Sequence, residues 1–171
     1  MPRITKVKCH ELLKKIFTNP YKFDVISKKR NFIDPSIAVA ALGLSPDYFN
    51  TDFKTLGFLF ESLCIRDLKV YSAAFDGKVS YYRDRYGLEA DGVLHLNDGR
   101  YALIEFKLGS NEIEEGATHL CEIENLVKEY NKKEKQCPLR TPDLKIIITA
   151  GEYGYRREDG VLVIPIGCLK N

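Results

Sequence analysis

The chain has 171 residues, 44% apolar and 29% charged, which supports one sizeable core and falls short of two ordinary domains. No apolar run approaches the roughly 18 residues of a membrane span, no signal-peptide pattern follows Met1, and Gly and Pro usage is ordinary, so membrane, secreted, fibrous and disordered classes are not expected. The formal net charge of +2 conceals an asymmetry: residues 1–30 hold nine Lys and Arg against two acids, and the other 141 residues are net acidic.

Residues 6–18 place Cys9, Leu12, Leu13, Ile16 and Phe17 at helical spacing among lysines, which predicts a short amphipathic helix ending near Asn19-Pro20. Residues 19–33 read as a connector or edge strand. Asp34-Pro35-Ser36 then opens a helix, with Asp accepting from first-turn N–H groups and Pro needing no partner there, and Gly43 ends it. Another segment begins at Ser45-Pro46. From Thr51 a longer helix runs through Phe53, Leu56, Phe60, Leu63 and Cys64 to Asp67, with Glu61 at the edge of its apolar stripe.

After Asp67 the pattern alternates. Strands are predicted over 70–75, 78–85, 88–96 and 100–108, parted by Asp76-Gly77, Tyr86-Gly87 and Asn97-Asp98-Gly99 as hairpin turns. Asn111 with Glu114 reads as a capping box opening a helix to about Tyr130. The apolar runs 144–150 and 161–166 are strands buried on both faces. The expected fold is α/β and layered, a central mixed sheet flanked by helices, with a basic helical N-terminal extension over 1–33 and the main domain over 34–171.

The chemistry concentrates in Glu89-Ala90-Asp91 and Glu105-Phe106-Lys107. A three-residue Asn97-Asp98-Gly99 loop with Gly99 left-handed pairs Leu96 with Arg100. Gly92 then faces Ile104, Leu94 faces Ala102 and Ala90 faces Phe106 on one side, while Asp91 faces Glu105 and Glu89 faces Lys107 on the other. A two-residue loop would mix polar and apolar residues on both faces. In the chosen register two carboxylates oppose each other, a destabilising pairing that a divalent cation would relieve. Lys107 could orient or deprotonate a metal-bound water, and Glu61 could add a carboxylate. The same residues also read as an ordinary ion-paired strand face.

Glu61, Asp91, Glu105 and Lys107, in this order and layout, resemble the PD-(D/E)XK nuclease superfamily, which implies a restriction-endonuclease-like fold for the main domain. Phe32-Ile33-Asp34-Pro35-Ser36, Gly57-Phe58-Leu59-Phe60-Glu61-Ser62-Leu63, Arg66-Asp67-Leu68, Tyr82-Arg83-Asp84, Leu88-Glu89-Ala90-Asp91 and Ile104-Glu105-Phe106-Lys107-Leu108-Gly109 resemble, over about residues 28–130, the C-terminal domain of a family of bacterial and archaeal AAA-type ATPases. The resemblance implies that Asp91 and Glu105, supported by Glu61, bind Mg²⁺ or Mn²⁺ and that Lys107 assists a water. Ala90 stands where the superfamily's nominal pattern has Pro.

Two functions are therefore expected as alternatives. One is an Mg²⁺-dependent phosphodiesterase acting on DNA, with the basic arm, Tyr82, Arg83 and Arg85 as candidate phosphate contacts. The other is a non-catalytic interaction or regulatory module of an AAA-type ATPase domain, in cis or in trans, in which Glu61, Glu89 and Lys107 serve as ion-pair groups. The basic arm also reads as a solvated helix face or a linker. The sequence contains no phosphate-binding P-loop and no dinucleotide fingerprint. Five scattered cysteines without metal-ligand spacing read as reduced thiols of a cytoplasmic protein.

Overall fold

The computed structural model describes residues 32–169. The helix predicted over 6–18 and nearly all of the connector after it lie outside the described residues. Helix α1 (Pro35–Leu42) begins and ends on the predicted signals. Asp34 Oδ1 accepts from the Ser36 N–H at 2.8 Å, and Gly43, at φ +64°, turns the chain out of the helix. A 3₁₀ turn (Pro46–Asn50) leads to α2 (Phe53–Ala73), whose first turn is capped by Asp52 accepting from the Thr55 N–H at 3.0 Å.

Helix α2 continues to Ala73, well past Asp67, where a strand over 70–75 was expected. Leu68 and Ser72 extend the buried stripe of Cys64 at i+4 spacing, so the helical period persists beneath the apparent alternation. Asp76-Gly77, expected as a hairpin turn, is the helix stop. Asp76 sits at φ +54°, its N–H reaches the Ala73 carbonyl at 3.1 Å, and the Gly77 N–H reaches that of Ser72 at 2.8 Å. This is a Schellman closure, and a Cβ on Gly77 would lie 2.7 Å from the Ser72 Cβ.

The sheet is mixed, six-stranded and ordered β1-β2-β3-β4-β6-β5. Strands β1 (Lys78–Arg83), β2 (Glu89–His95) and β3 (Tyr101–Lys107) form the antiparallel meander. Helix α3 (Ile113–Lys133) crosses over to β4 (Leu144–Thr149), parallel to β3, and β6 (Leu162–Pro165) lies parallel to β4. The β2–β3 register is the predicted one from Gly92↔Ile104 to His95↔Tyr101. Leu96 donates to Arg100 at 2.8 Å, and Gly99 is at φ +90°.

A two-residue strand, β5 (Tyr155–Arg156), pairs with β6 and was not expected. Its loop Glu158-Asp159-Gly160, with Gly160 at φ +81°, repeats the chemistry of Asn97-Asp98-Gly99 and was the available signal. Nor does the Asn111–Glu114 capping box form: a 3₁₀ turn (Ser110–Glu112) precedes α3, which has no side-chain cap.

The sheet lies between two apolar layers. On one face Phe60, Cys64, Ile65 and Leu68 of α2 pack on Ala102, Ile104, Phe106 and Ile148. On the other, Ile113, Ala117, Leu120 and Ile123 of α3 pack on Val93, Leu103, Ile147 and Val163. Each fully buried Leu or Ile stabilises the fold by about 1.5–3 kcal/mol, so these layers fix where the ends of β2 and β3 stand. Among the described residues Cys64, Cys121, Cys137 and Cys168 are free thiols, and no helix is long and apolar enough to cross a membrane.

Candidate functional site

Strand β3 alternates Ala102, Ile104 and Phe106 toward α2 with Leu103, Glu105 and Lys107 toward α3. Glu105 and Lys107 thus enter the layer beneath α3. Gly116 makes room for them: a Cβ there would meet Lys107 Cε at 3.1 Å and Glu105 Cβ at 3.5 Å. Glu105 is 2% exposed. Its Oε2 lies 3.3 Å from Lys107 Nζ, while its Oε1 is buried and accepts no hydrogen bond.

Burial, then the neighbouring charge of Asp91, pushes the Glu105 carboxyl up to about 8, against the opposing pull of Lys107. For Lys107, burial disfavours the ammonium, but Glu105, Asp91 and Glu115 outweigh it and raise its pKa above the ordinary lysine value. At neutral pH this is a largely protonated carboxyl beside an ammonium.

Asp91 reaches the site through an irregularity in β2. Ser80 pairs with Val93 and Tyr82 with Ala90, so Asp91 and Gly92 together oppose the single residue Tyr81: a β-bulge. The bulge overturns part of the expected register. Ala90 turns into the α3-side cluster while Phe106 stays in the α2-side cluster, and the β2–β3 ladder ends at Gly92↔Ile104 before Asp91 and Glu105 become backbone partners. Instead the Asp91 side chain closes the gap, its Oδ2 accepting from the Phe106 N–H at 3.1 Å.

Glu61 sits on α2. Burial, Asp67, Glu61 and Asp91 together push the Cys64 thiol up, so Cys64 stands in the field of both carboxylates, Glu61 from its own helix and Asp91 from β2. The structure therefore brings Asp91, Glu105 and Lys107 together at the end of β3, and Glu61 shares with Asp91 an electrostatic influence on Cys64. Among the described residues no three His, Cys, Asp or Glu side chains form a cage for a metal ion. The fit to Mg²⁺ is limited to a two-carboxylate seat, which that ion accepts only with waters or phosphate oxygens completing its shell.

The other candidates are placed as follows. Glu89, expected across from Lys107, pairs with Arg83 at 3.7 Å. Arg85 lies over the Tyr86 ring, 4.6 Å from its centroid. Tyr82 packs against the α3-side core, and burial pushes its hydroxyl up to about 12, so it is core lining more than a surface phosphate contact. A groove of about 560 Å³ between Asp84–Leu88 and the α3 residues His119, Glu122 and Leu126 contains none of Glu61, Asp91, Glu105 or Lys107.

No curated protein and no solved structure matches the chain. A family model does: the domain of unknown function DUF4143, over residues 56–169, a family often found at the C-terminus of AAA-type ATPases. The match begins later than the resemblance read over 28–130 and reaches through β6. It takes in α2 from Leu56 onward, α3 and every strand among the described residues, and by it the chain belongs to the DUF4143 family.

Proposed function

We propose that this domain is a non-catalytic interaction or regulatory module that docks onto an AAA-type ATPase domain, in cis or in trans. The observation that carries the reading is the state of the Glu105–Lys107 pair: packed beneath α3, paired internally and, among the described residues, without a third ligand. Such a pair orders the end of β3, a structural role. Family membership supplies the partner class. The test is sedimentation of the chain with an AAA-type ATPase domain from a DUF4143 protein. A 1:1 complex is expected, and its absence at tens of micromolar would remove the reading.

A second reading, a DNA phosphodiesterase, is favoured by one atom. Glu105 Oε1 is buried without a hydrogen-bond donor, as a carboxylate awaiting a cation would be. Asp91 and Glu105 would hold Mg²⁺ or Mn²⁺, and the ion would supply an activated water and charge stabilisation at phosphorus. Lys107 would hold the water or a phosphate oxygen. Because the cation must displace the Glu105 proton, uptake would release a proton and tighten between pH 6 and 8. Calorimetric Mn²⁺ titration with and without duplex DNA separates the readings. Saturable binding lost in both Asp91→Ala and Glu105→Ala supports the second; the first expects no heat that depends on either residue.

A further inference from the structure

The groove beside α3 lies apart from the strand carboxylates, between the β1–β2 turn and the outer side of the helix. Its helical wall is His119, Glu122, Leu126 and Glu129, which recur at intervals of three and four and so follow one side of α3 for about 15 Å. The helix turns Ala117, Leu120 and Ile123 into the core and leaves Glu122, Leu126 and Glu129 exposed. The facing wall is shaped by Asp84, whose Oδ1 accepts from the Tyr86 N–H at 2.8 Å and the Leu88 N–H at 2.9 Å. That turn sets Tyr86, 78% exposed, on the wall opposite Leu126, 47% exposed.

The charge of the groove has one sign. Asp84, Glu122 and Glu129 line it, and no Lys or Arg does. Elsewhere on α3 the acids find cations within the domain: Glu114 pairs with Arg157, and Glu124 with both Lys128 and Lys145. Among the described residues Glu122 and Glu129 form no ion pair. Taking the ATPase docking as given, we infer that this groove seats a segment of the ATPase that carries Lys or Arg beside an apolar side chain. The cations would lie against Glu122, Glu129 and Asp84, and the apolar group between Tyr86 and Leu126. Such a segment relieves the repulsion among three carboxylates and removes two exposed apolar side chains from water. An aromatic anchor with charged groups around it is the composition that binding surfaces favour, and an open helix side of this length suits a helix laid along it.

The test is sedimentation of the full chain with the AAA-type ATPase domain of a DUF4143 protein. Glu122→Lys combined with Glu129→Lys is expected to weaken the complex by at least about tenfold while the far-ultraviolet circular dichroism persists. Tyr86→Ala should weaken it on the order of tenfold, as the loss of an aromatic anchor does. Raising salt from about 0.05 to about 0.5 M should loosen the parent complex, and the double reversal should have lost most of that dependence. Glu152→Lys, at an exposed acid outside the groove, should change nothing. A parent that forms no complex removes the docking reading and this seat with it. A complex indifferent to the double reversal and to Tyr86→Ala keeps the docking but overturns the groove as its place. Equal weakening by Glu152→Lys would mean that net charge alone matters and overturns it too. Self-association of the chain that the double reversal dissolves would overturn it in favour of a second copy.

Discussion

The far end of β3 and helix α1 invert each other. At the end of β3 a carboxyl and an ammonium lie beneath a helix, whereas α1 has no charged residue and only one buried side chain. Side-chain polarity alone predicts neither. What decides burial is whether a partner is present: Lys107 and Glu105 supply each other's, and Gly116 leaves the room for both. Helix α1 has a partner on one side only, through Ala38 and the Asp34–Arg66 pair.

Removing a partner from the β3 end should have the largest effect. Lys107→Met removes the cation that holds the Glu105 pKa down, so the carboxyl keeps its proton to higher pH, and the variant is expected to cost up to about 3 kcal/mol, growing as pH rises past 8. The loss should shrink at pH 6, where a proton replaces the cation. Glu105→Leu combined with Lys107→Met is expected within about 1 kcal/mol of the parent, or more stable, since an apolar pair of similar volume needs no desolvation of charge. Urea denaturation of the three proteins at two pH values measures this. A double variant as unstable as Lys107→Met would mean that the layer beneath α3 needs the charges themselves.

Titration sharpens the same contrast. Glu105 is held at about 8 in the folded protein against 4.5 as its ordinary value. As pH rises from about 4.5 to about 8, the unfolded chain ionises this group while the folded chain retains the proton. Glu105 therefore favours unfolding progressively across that window, by at most about 1.4 kcal/mol per pH unit. Asp34 and Asp52, held at about 2 chiefly by local hydrogen bonds, have the opposite sign and act below pH 4. The difference between parent and Glu105→Gln in stability against pH isolates the Glu105 contribution. Asp91→Asn should lower the Glu105 pKa, since it removes the like charge, while its amide oxygen keeps the bond to the Phe106 N–H. Asp91→Ala loses that bond as well and is expected to cost about 1–2 kcal/mol.

Much of this architecture is legible in the sequence because short-range rules set it. The Asp34 cap, the Gly43 stop and the Asn97-Asp98-Gly99 loop each depend on a few consecutive residues, and each forms as expected. Asp76-Gly77 shows the limit. The same dipeptide serves a hairpin or a helix stop, and the choice rests on whether Leu68 and Ser72 find a buried face, a long-range fact. The site is legible to the same degree. Glu105 and Lys107 share a face by strand alternation, but the bulge at Asp91-Gly92 has only the isolated strand glycine Gly92 as a local sign, and Tyr81 is opposed by two residues only once β1 is paired. Where Glu61 stands relative to the strand carboxylates likewise depends on how α2 lies on the sheet.

The smallest effect should come from the opposite region, and its smallness is the point. Phe53 and Phe58 are 66% and 61% exposed, so replacing either with Asp removes little buried surface from the described domain and is expected to change its unfolding free energy by no more than about 0.5 kcal/mol. Ile104→Ala, at a position with 0% exposure facing α2, should cost about 2–5 kcal/mol in the same assay. Aromatic groups as large as Phe that are worth almost nothing to the domain carrying them have their value in whatever completes the surface. A loss at Phe53→Asp or Phe58→Asp comparable to that at Ile104→Ala, measured by urea denaturation, would instead place both rings inside the core and remove the distinction between α1's open side and the layers around the sheet.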